Sequence, residues 1–123
     1  MISLLVYKFF HLTGIMMVFL SLGGAMVYAI NGGEKASNQW RKGVGITHGI
    51  GIVLILVSGF GMLARLGIHW PWPAWIIVKM LIWLVIGILT AFIYRLGTAG
   101  KSLWYFTILL GILAAVMALF KPI

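Results

Sequence analysis

Hydrophobic residues fill four long runs of this chain, and short polar segments separate the runs. The runs cover approximately residues 4–30, 44–66, 75–95 and 103–120. At a helical rise of ~1.5 Å per residue, each is long enough to cross the ~30 Å hydrocarbon layer of a bilayer, the first with tilt or an interfacial overhang. Because lipid offers the backbone no hydrogen-bond partner, each run is predicted to be an α-helix that crosses a membrane.

The segments between the runs carry residues that end helices. Asn31 and two following glycines predict the end of the first helix, and Gly67 with the Trp/Pro segment 69–73 predicts the end of the second. A short turn at 97–102 separates the third helix from the fourth. Short connections make neighbouring helices antiparallel. The sequence therefore predicts an all-α, up-down-up-down four-helix membrane bundle, with residues 1–123 as a single transmembrane domain.

Composition supports a membrane location and limits the possible partners. Hydrophobic residues make up 63% of the chain and charged residues 8%, with Glu34 as the single acid. This number of polar side chains is too small to cover the surface of a soluble protein. Lipid is therefore the expected partner. The net charge of +8 is spread singly between apolar runs, which argues against nucleic-acid binding. Partner membrane subunits or further copies of the chain are the other expected contacts.

The distribution of basic residues predicts a membrane orientation. Five flank the first and third loops, and four flank the side that holds the termini: Lys35, Arg41, Lys42, Arg95 and Lys101 against Lys8, Arg65, Lys79 and Lys121. Basic residues are enriched on the cytoplasmic side of membrane proteins. The first and third loops are therefore predicted to be cytoplasmic, with both termini outside.

Two histidines within the apolar runs are the candidate functional residues. His11 and His48 are each accompanied by glycine at helical spacing, Gly14 for the first and Gly45 and Gly51 for the second. Imidazole on a rigid helix beside small residues is a suitable axial ligand for the iron of a b-type haem. Alternatively, each histidine is hydrogen-bonded to a neighbouring helix and the glycines serve close helix packing.

The predicted depths of the two histidines in the membrane are too different for both to bind the same iron. They lie about 15 Å apart along the membrane normal, since they sit near opposite ends of antiparallel helices. This leaves two haems, or one haem with a different second ligand. Methionine is a candidate for that second ligand, although it also fills gaps in cores. Met26 is predicted near the depth of His48, and Met62 and Met80 are predicted near the depth of His11.

Other polar residues have simpler interpretations. Lys79, one turn inside the third helix, either extends its ammonium to the membrane surface or pairs with a cofactor propionate or a lipid phosphate. His69 is expected in the interfacial loop. The spans hold no Asp or Glu, and no catalytic triad or phosphate-binding loop is visible, so an enzyme is not favoured. A small drug exporter would need an acid in its first span.

Short patterns resemble a known family. Lys8-Phe9-Phe10-His11-Leu12-Thr13-Gly14 with Leu22-Gly23-Gly24, and Thr47-His48-Gly49 with Ser58-Gly59-Phe60-Gly61, are similar to the two-haem b-cytochrome-like superfamily of small bacterial membrane proteins, which includes CopD-like, SirB-like and HemJ-like proteins. The resemblance implies haem contacts at His11 and His48 and a location in the bacterial inner (plasma) membrane. It does not supply the oxidase chemistry of the HemJ-like proteins.

The expected function follows from these patterns. The sequence predicts a small membrane protein that binds haem b, for electron transfer or as an accessory subunit of a membrane redox complex. Two alternatives stay open. One is a cofactor-free structural subunit that associates through its glycine-rich helix faces. The other is a small transporter, for which few groups are present to line a polar cavity.

Overall fold

A computed structural model describes residues 3–121, and the regular structure in that range is entirely helical. Four α-helices follow one another: α1 (Leu4–Ile30), α2 (Arg41–Leu66), α3 (Ala74–Leu96) and α4 (Lys101–Phe120). Short 3-10 helices at Lys35–Ser37 and Gly97–Gly100 lie in the first and third connections. The all-α prediction is confirmed. α2 begins three residues earlier than predicted and α4 two residues earlier, so both connections are shorter.

Glycines follow α1 and α2 at the positions where the sequence predicted these two helices to end. The Asn31 N–H closes the last turn of α1, and Gly32 then adopts a positive φ of 90°. Gly67 ends α2 in the left-handed conformation, with φ 71° and ψ 23°. A residue with a Cβ would be strained at both positions, whereas glycine is not. Pro73 precedes the first residue of α3, where its missing N–H costs the helix no hydrogen bond.

α1 and α2 form the closest helix pair, joined along a seam of small residues. A Cβ built on Gly14 would lie 2.8 Å from the carbonyl oxygen of Gly51. Farther along, the Tyr7 ring lies directly against Gly61. Because the numbers rise on one helix as they fall on the other, the pair is antiparallel. The missing side chains allow the two backbones to approach closely, as in small-residue helix contacts of membrane proteins.

α3 and α4 lie side by side rather than end to end. The two together span Ala74–Phe120, and a single straight helix of those 47 residues would be about 70 Å long. Instead, the Lys121 ammonium at the end of α4 is 5.1 Å from the centroid of the Trp75 ring at the start of α3. The chain therefore reverses at the Gly97–Gly100 turn.

The described helices are apolar on both their inner and outer faces. α1 supplies the centre of the core, where Val18 and Leu22 are completely buried, and α3 and α4 pack around it. Large hydrophobic side chains also point outward, among them Leu5, Leu119 and Phe120, each about three-quarters exposed. Three helical segments are long and apolar enough to cross a membrane: Leu4–Ile30, Arg41–Leu66 and Ala74–Phe120, the last counting α3 and α4 together. Helices of this kind are typical of an integral membrane protein.

Candidate functional site

A cleft opens between α2 and α3 towards the first and third connections. Farther from these connections than the cleft, the Trp83 indole of α3 donates a hydrogen bond to the carbonyl oxygen of Ile52 on α2 at 3.0 Å. At the rim of the cleft, the Asn38 amide donates to the Tyr94 hydroxyl at 2.9 Å and ties the first connection to α3. Between these contacts lies a partly open cavity of about 370 Å³. This volume falls at the small end of the range for ligand sites.

The cavity wall combines small, aromatic and cationic residues from three helices and the first connection. Its lining is Ala25, Lys35, Arg41, Val44, Gly45, His48, Gly49, Thr90, Ala91, Ile93 and Tyr94. Apolar walls with a few polar groups are typical of cofactor and small-molecule sites. The cleft is therefore the candidate functional site.

His48 is the residue of the cleft lining whose buried polar atoms have no hydrogen-bond partner. Its side chain is 7% exposed, and neither ring nitrogen has a hydrogen-bond partner among the described residues. The Gly87 backbone on α3 is near the ring but does not meet hydrogen-bond geometry. Burying a polar group without a partner is unfavourable by about 1–3 kcal/mol. A ligand that bonded the imidazole would remove this cost.

Two glycines leave the surface next to His48 flat. A Cβ built on Gly45 or on Gly49 would meet no atom within 4 Å, so no part of the described chain fills that space. Gly45 had been predicted from the sequence as part of a haem pocket, and the structure places it in the cleft wall. Gly49 completes the same surface. The Gly45-x-x-x-Gly49 pattern does not mediate packing between the described helices.

Two cations stand at the rim of the cleft. Lys35 comes from the short 3-10 helix and Arg41 is the first residue of α2. Arg41 uses one guanidinium N–H to donate to the carbonyl oxygen of Ala36, at 3.1 Å, which holds the side chain near the first connection. A ligand with an apolar body and an anionic end would match this arrangement.

The surroundings of His11 are different, because its imidazole is hydrogen-bonded to α2 and the nearby Gly14 is packed against α2. Nδ1 lies 3.2 Å from the Ile55 carbonyl oxygen and 3.0 Å from the Ser58 hydroxyl. With its proton on Nδ1, the imidazole donates a hydrogen bond to the Ile55 carbonyl across the α1–α2 seam, since a carbonyl oxygen only accepts. Gly14 and Gly51 are packed against each other in that seam. Both glycines therefore contribute to helix packing in the structure.

The other predicted site residues lie away from the cleft. Met26 is buried, with its sulfur 3.9 Å from the Thr107 hydroxyl on α4. Met62 stands 14 residues beyond His48 on the same helix, about 21 Å along its axis. Lys79 lies near His11 at the opposite end of the molecule. None of the three lines the cleft.

The structure also fixes how far apart the histidines are. His11 is level with Ile55 and Ser58 on α2, which are 7 and 10 residues from His48. That spacing is about 10–15 Å along the helix, too far for both imidazoles to bind one metal ion at ~2 Å. Residues 3–121 contain no cluster of three or more His, Asp or Glu side chains suited to a metal ion.

Sequence reasoning missed Lys35, Arg41, Gly49 and Tyr94 as members of the site. The two cations had been assigned only to membrane orientation. Comparisons with protein-family models, with curated proteins and with solved structures gave no match. The similarity of short patterns to the two-haem b-cytochrome-like superfamily therefore stays a prediction.

Proposed function

We propose that α1, α2, α3 and α4 each cross the membrane once, as an up-down-up-down four-helix bundle. The contact of Lys121 with Trp75 supports two separate crossings by α3 and α4. The lengths of these helices, 23 and 20 residues, correspond to about 35 and 30 Å, which match a hydrocarbon layer of ~30 Å. Such a protein belongs in a bacterial inner membrane, with the first and third connections on the cytoplasmic side.

This orientation predicts a specific labelling pattern. The chain has no cysteine, so single cysteines can be introduced without background. Both test positions are exposed, Ala36 in the first connection and Ala74 at the start of α3. A membrane-impermeant maleimide added to intact cells should label Ala74→Cys and leave Ala36→Cys unlabelled until the membrane is opened. The opposite pattern would reverse the proposed topology.

The cleft is proposed to bind one b-type haem, with His48 as the ligand of its iron. The buried, unpartnered His48 imidazole is the observation that carries this proposal. The open surface at Gly45 and Gly49 suits a flat macrocycle, and Lys35 and Arg41 suit its propionates. The kinds of residue around His48 therefore suit a b-type haem. The residues around His11 do not, because the facing helix covers Gly14.

In this proposal the chain supplies binding and orientation. His48 would hold the iron, and Arg41 and Lys35 would neutralise the carboxylates. Haem supplies one-electron redox chemistry. The proposed role is thus electron transfer, by this protein alone or as an accessory subunit of a membrane redox complex. Catalysis is not part of the proposal, since the cleft lining contains no acid.

A leucine at Gly45 should abolish haem binding without harming the fold. The new side chain would enter the open space of the cleft, where no atom lies within 4 Å of its Cβ. Helix stability should rise slightly, since glycine is about 1 kcal/mol poorer than alanine in a helix interior. Gly24→Leu is the matched control, because Gly24 is an open glycine on α1 outside the cleft.

The measurement is the haem-to-protein ratio after purification from haem-rich cells. We expect about one haem per chain for the unchanged protein and for Gly24→Leu, and little for Gly45→Leu. Equal haem content in all three proteins would show that the cleft is not the binding site.

One observation favours a second candidate, a cofactor-free structural subunit. In the α1–α2 seam, His11, Gly14 and Gly51 all serve contacts between the two helices, without a cofactor. If the purified protein carries no haem, this candidate takes the place of the first, with the open face at Gly45 and Gly49 as the surface for a partner helix.

A further inference from the structure

Two lysines contact one indole ring at the end of the bundle where α1 begins and α4 ends. The Lys79 ammonium on α3 lies 5.9 Å from the centroid of the Trp75 ring, and the Lys121 ammonium at the end of α4 lies 5.1 Å from the same centroid. Both distances are within the range of cation–π contacts. The Trp75 ring is therefore in contact with two positive charges, one from α3 and one from the end of α4.

Within residues 3–121, no acidic group lies against these two charges. Lys79 is close enough to Lys121 to feel its repulsion, and it also interacts with His11 on α1. Among the described residues, neither ammonium has a hydrogen bond or an ion pair. The single acidic residue of the chain, Glu34, lies in the first connection at the other end of the bundle. Two like charges near lipid are unfavourable unless an anion joins them.

The position of this pair matches the headgroup layer of a membrane. Lys79 is five residues inside α3, about 7–8 Å from the helix end, and its stem can extend towards the surface. Trp70 and Trp72 lie in the neighbouring loop, with ring centroids 5.3 Å apart. Tryptophan is enriched at the level of lipid headgroups. An anion that reaches Lys79 and Lys121 thus comes from the headgroup region.

We propose that Lys79, Lys121 and Trp75 form a binding site for the phosphate group of an anionic phospholipid. The two ammonium groups contact the phosphate oxygens from α3 and from the end of α4. The indole holds both stems in place. An anion held in this way joins the last turn of α4 to the first turns of α3 and stabilises their pairing. The site is independent of the His48 cleft, which lies at the opposite end of the bundle.

The test compares lipids on the purified full-length protein in a neutral detergent. Thermal unfolding is followed with added phosphatidylglycerol, with phosphatidylcholine and with inorganic phosphate. The variants are Lys79→Gln and Lys121→Gln, with Lys79→Arg to restore the charge. Lys101→Gln is the control, because Lys101 is an exposed lysine at the other end of α4. Apparent lipid affinity is obtained from the concentration dependence of the midpoint.

Phosphatidylglycerol should raise the midpoint of the unchanged protein, of Lys79→Arg and of Lys101→Gln. Each glutamine substitution at Lys79 or Lys121 should weaken its apparent affinity about fivefold, as expected for ~1 kcal/mol per lysine near anionic lipid. Equal responses of all variants to phosphatidylglycerol, or equal stabilisation by phosphatidylcholine, would overturn the proposal. A midpoint shift with inorganic phosphate alone would also overturn it, since the ligand would then be a soluble anion.

Discussion

Gly51→Leu is expected to push α1 and α2 apart and to destabilise the bundle by about 3 kcal/mol, at the upper end of the usual cost of overpacking. A Cβ at Gly51 would lie 2.7 Å from a methyl group of Val18 and 2.8 Å from the carbonyl oxygen of Gly14. The carbonyl oxygen belongs to the backbone of α1, so it cannot move unless the whole helix moves. Leucine adds three further carbon atoms to that clash.

The matched control lies two residues away on the same helix. Gly49→Leu makes the same chemical change where a Cβ would meet nothing within 4 Å, so stability should stay unchanged or rise slightly. The measurement is unfolding of both variants, each prepared without haem, in mixed detergent, followed by circular dichroism and tryptophan fluorescence. Equal stability of Gly51→Leu and Gly49→Leu would contradict the described α1–α2 contact.

The helices themselves were predictable from the sequence because lipid leaves a long apolar run only one backbone conformation. Their ends were predictable where glycine or proline marks them, as at Gly32, Gly67 and Pro73. The start of α2 was less predictable. Arg41 was interpreted as an interfacial residue outside the helix, whereas the structure includes it in the first turn. A charged residue at a helix end can lie in the headgroup layer and still be helical.

The glycines show where sequence reasoning about the site reached its limit. Gly45 and Gly51 both lie three residues from His48, so helical spacing gave them the same predicted role. Spacing along one helix does not reveal which flank a second helix covers. In the structure α1 crosses α2 at Gly51 and leaves Gly45 open. The packing interpretation, weighed as an alternative from the sequence, holds for Gly14 and Gly51.

The two histidines differ for the same reason. Each one was predicted either to bind a cofactor or to bond to a neighbouring helix. His11 faces the seam, where the carbonyl of Ile55 is in reach. His48 faces the cleft, where α2 and α3 separate. There its ring nitrogens have no hydrogen-bond partner among the described residues. The cations at the rim come from the first connection and the start of α2, so only the folded chain brings Lys35 near His48.

His48→Ala is expected to remove nearly all bound haem while leaving the bundle folded. The imidazole makes no hydrogen bond with the described residues, so its removal breaks none. His11→Ala should show the reverse pattern. It removes the bond to Ile55 and Ser58 at a cost of about 1 kcal/mol and leaves the haem in place. His69→Ala changes an exposed histidine in the loop before α3 and serves as the control for histidine content.

The most direct measurement is the absorption spectrum of the purified protein, before and after reduction with dithionite, for the unchanged chain and these three variants. The account predicts a Soret band with α and β bands that sharpen on reduction in the unchanged protein, in His11→Ala and in His69→Ala. In His48→Ala these bands should be lost. The absence of a Soret band from the unchanged protein, or its full retention in His48→Ala, would contradict the assignment of His48 as the haem ligand.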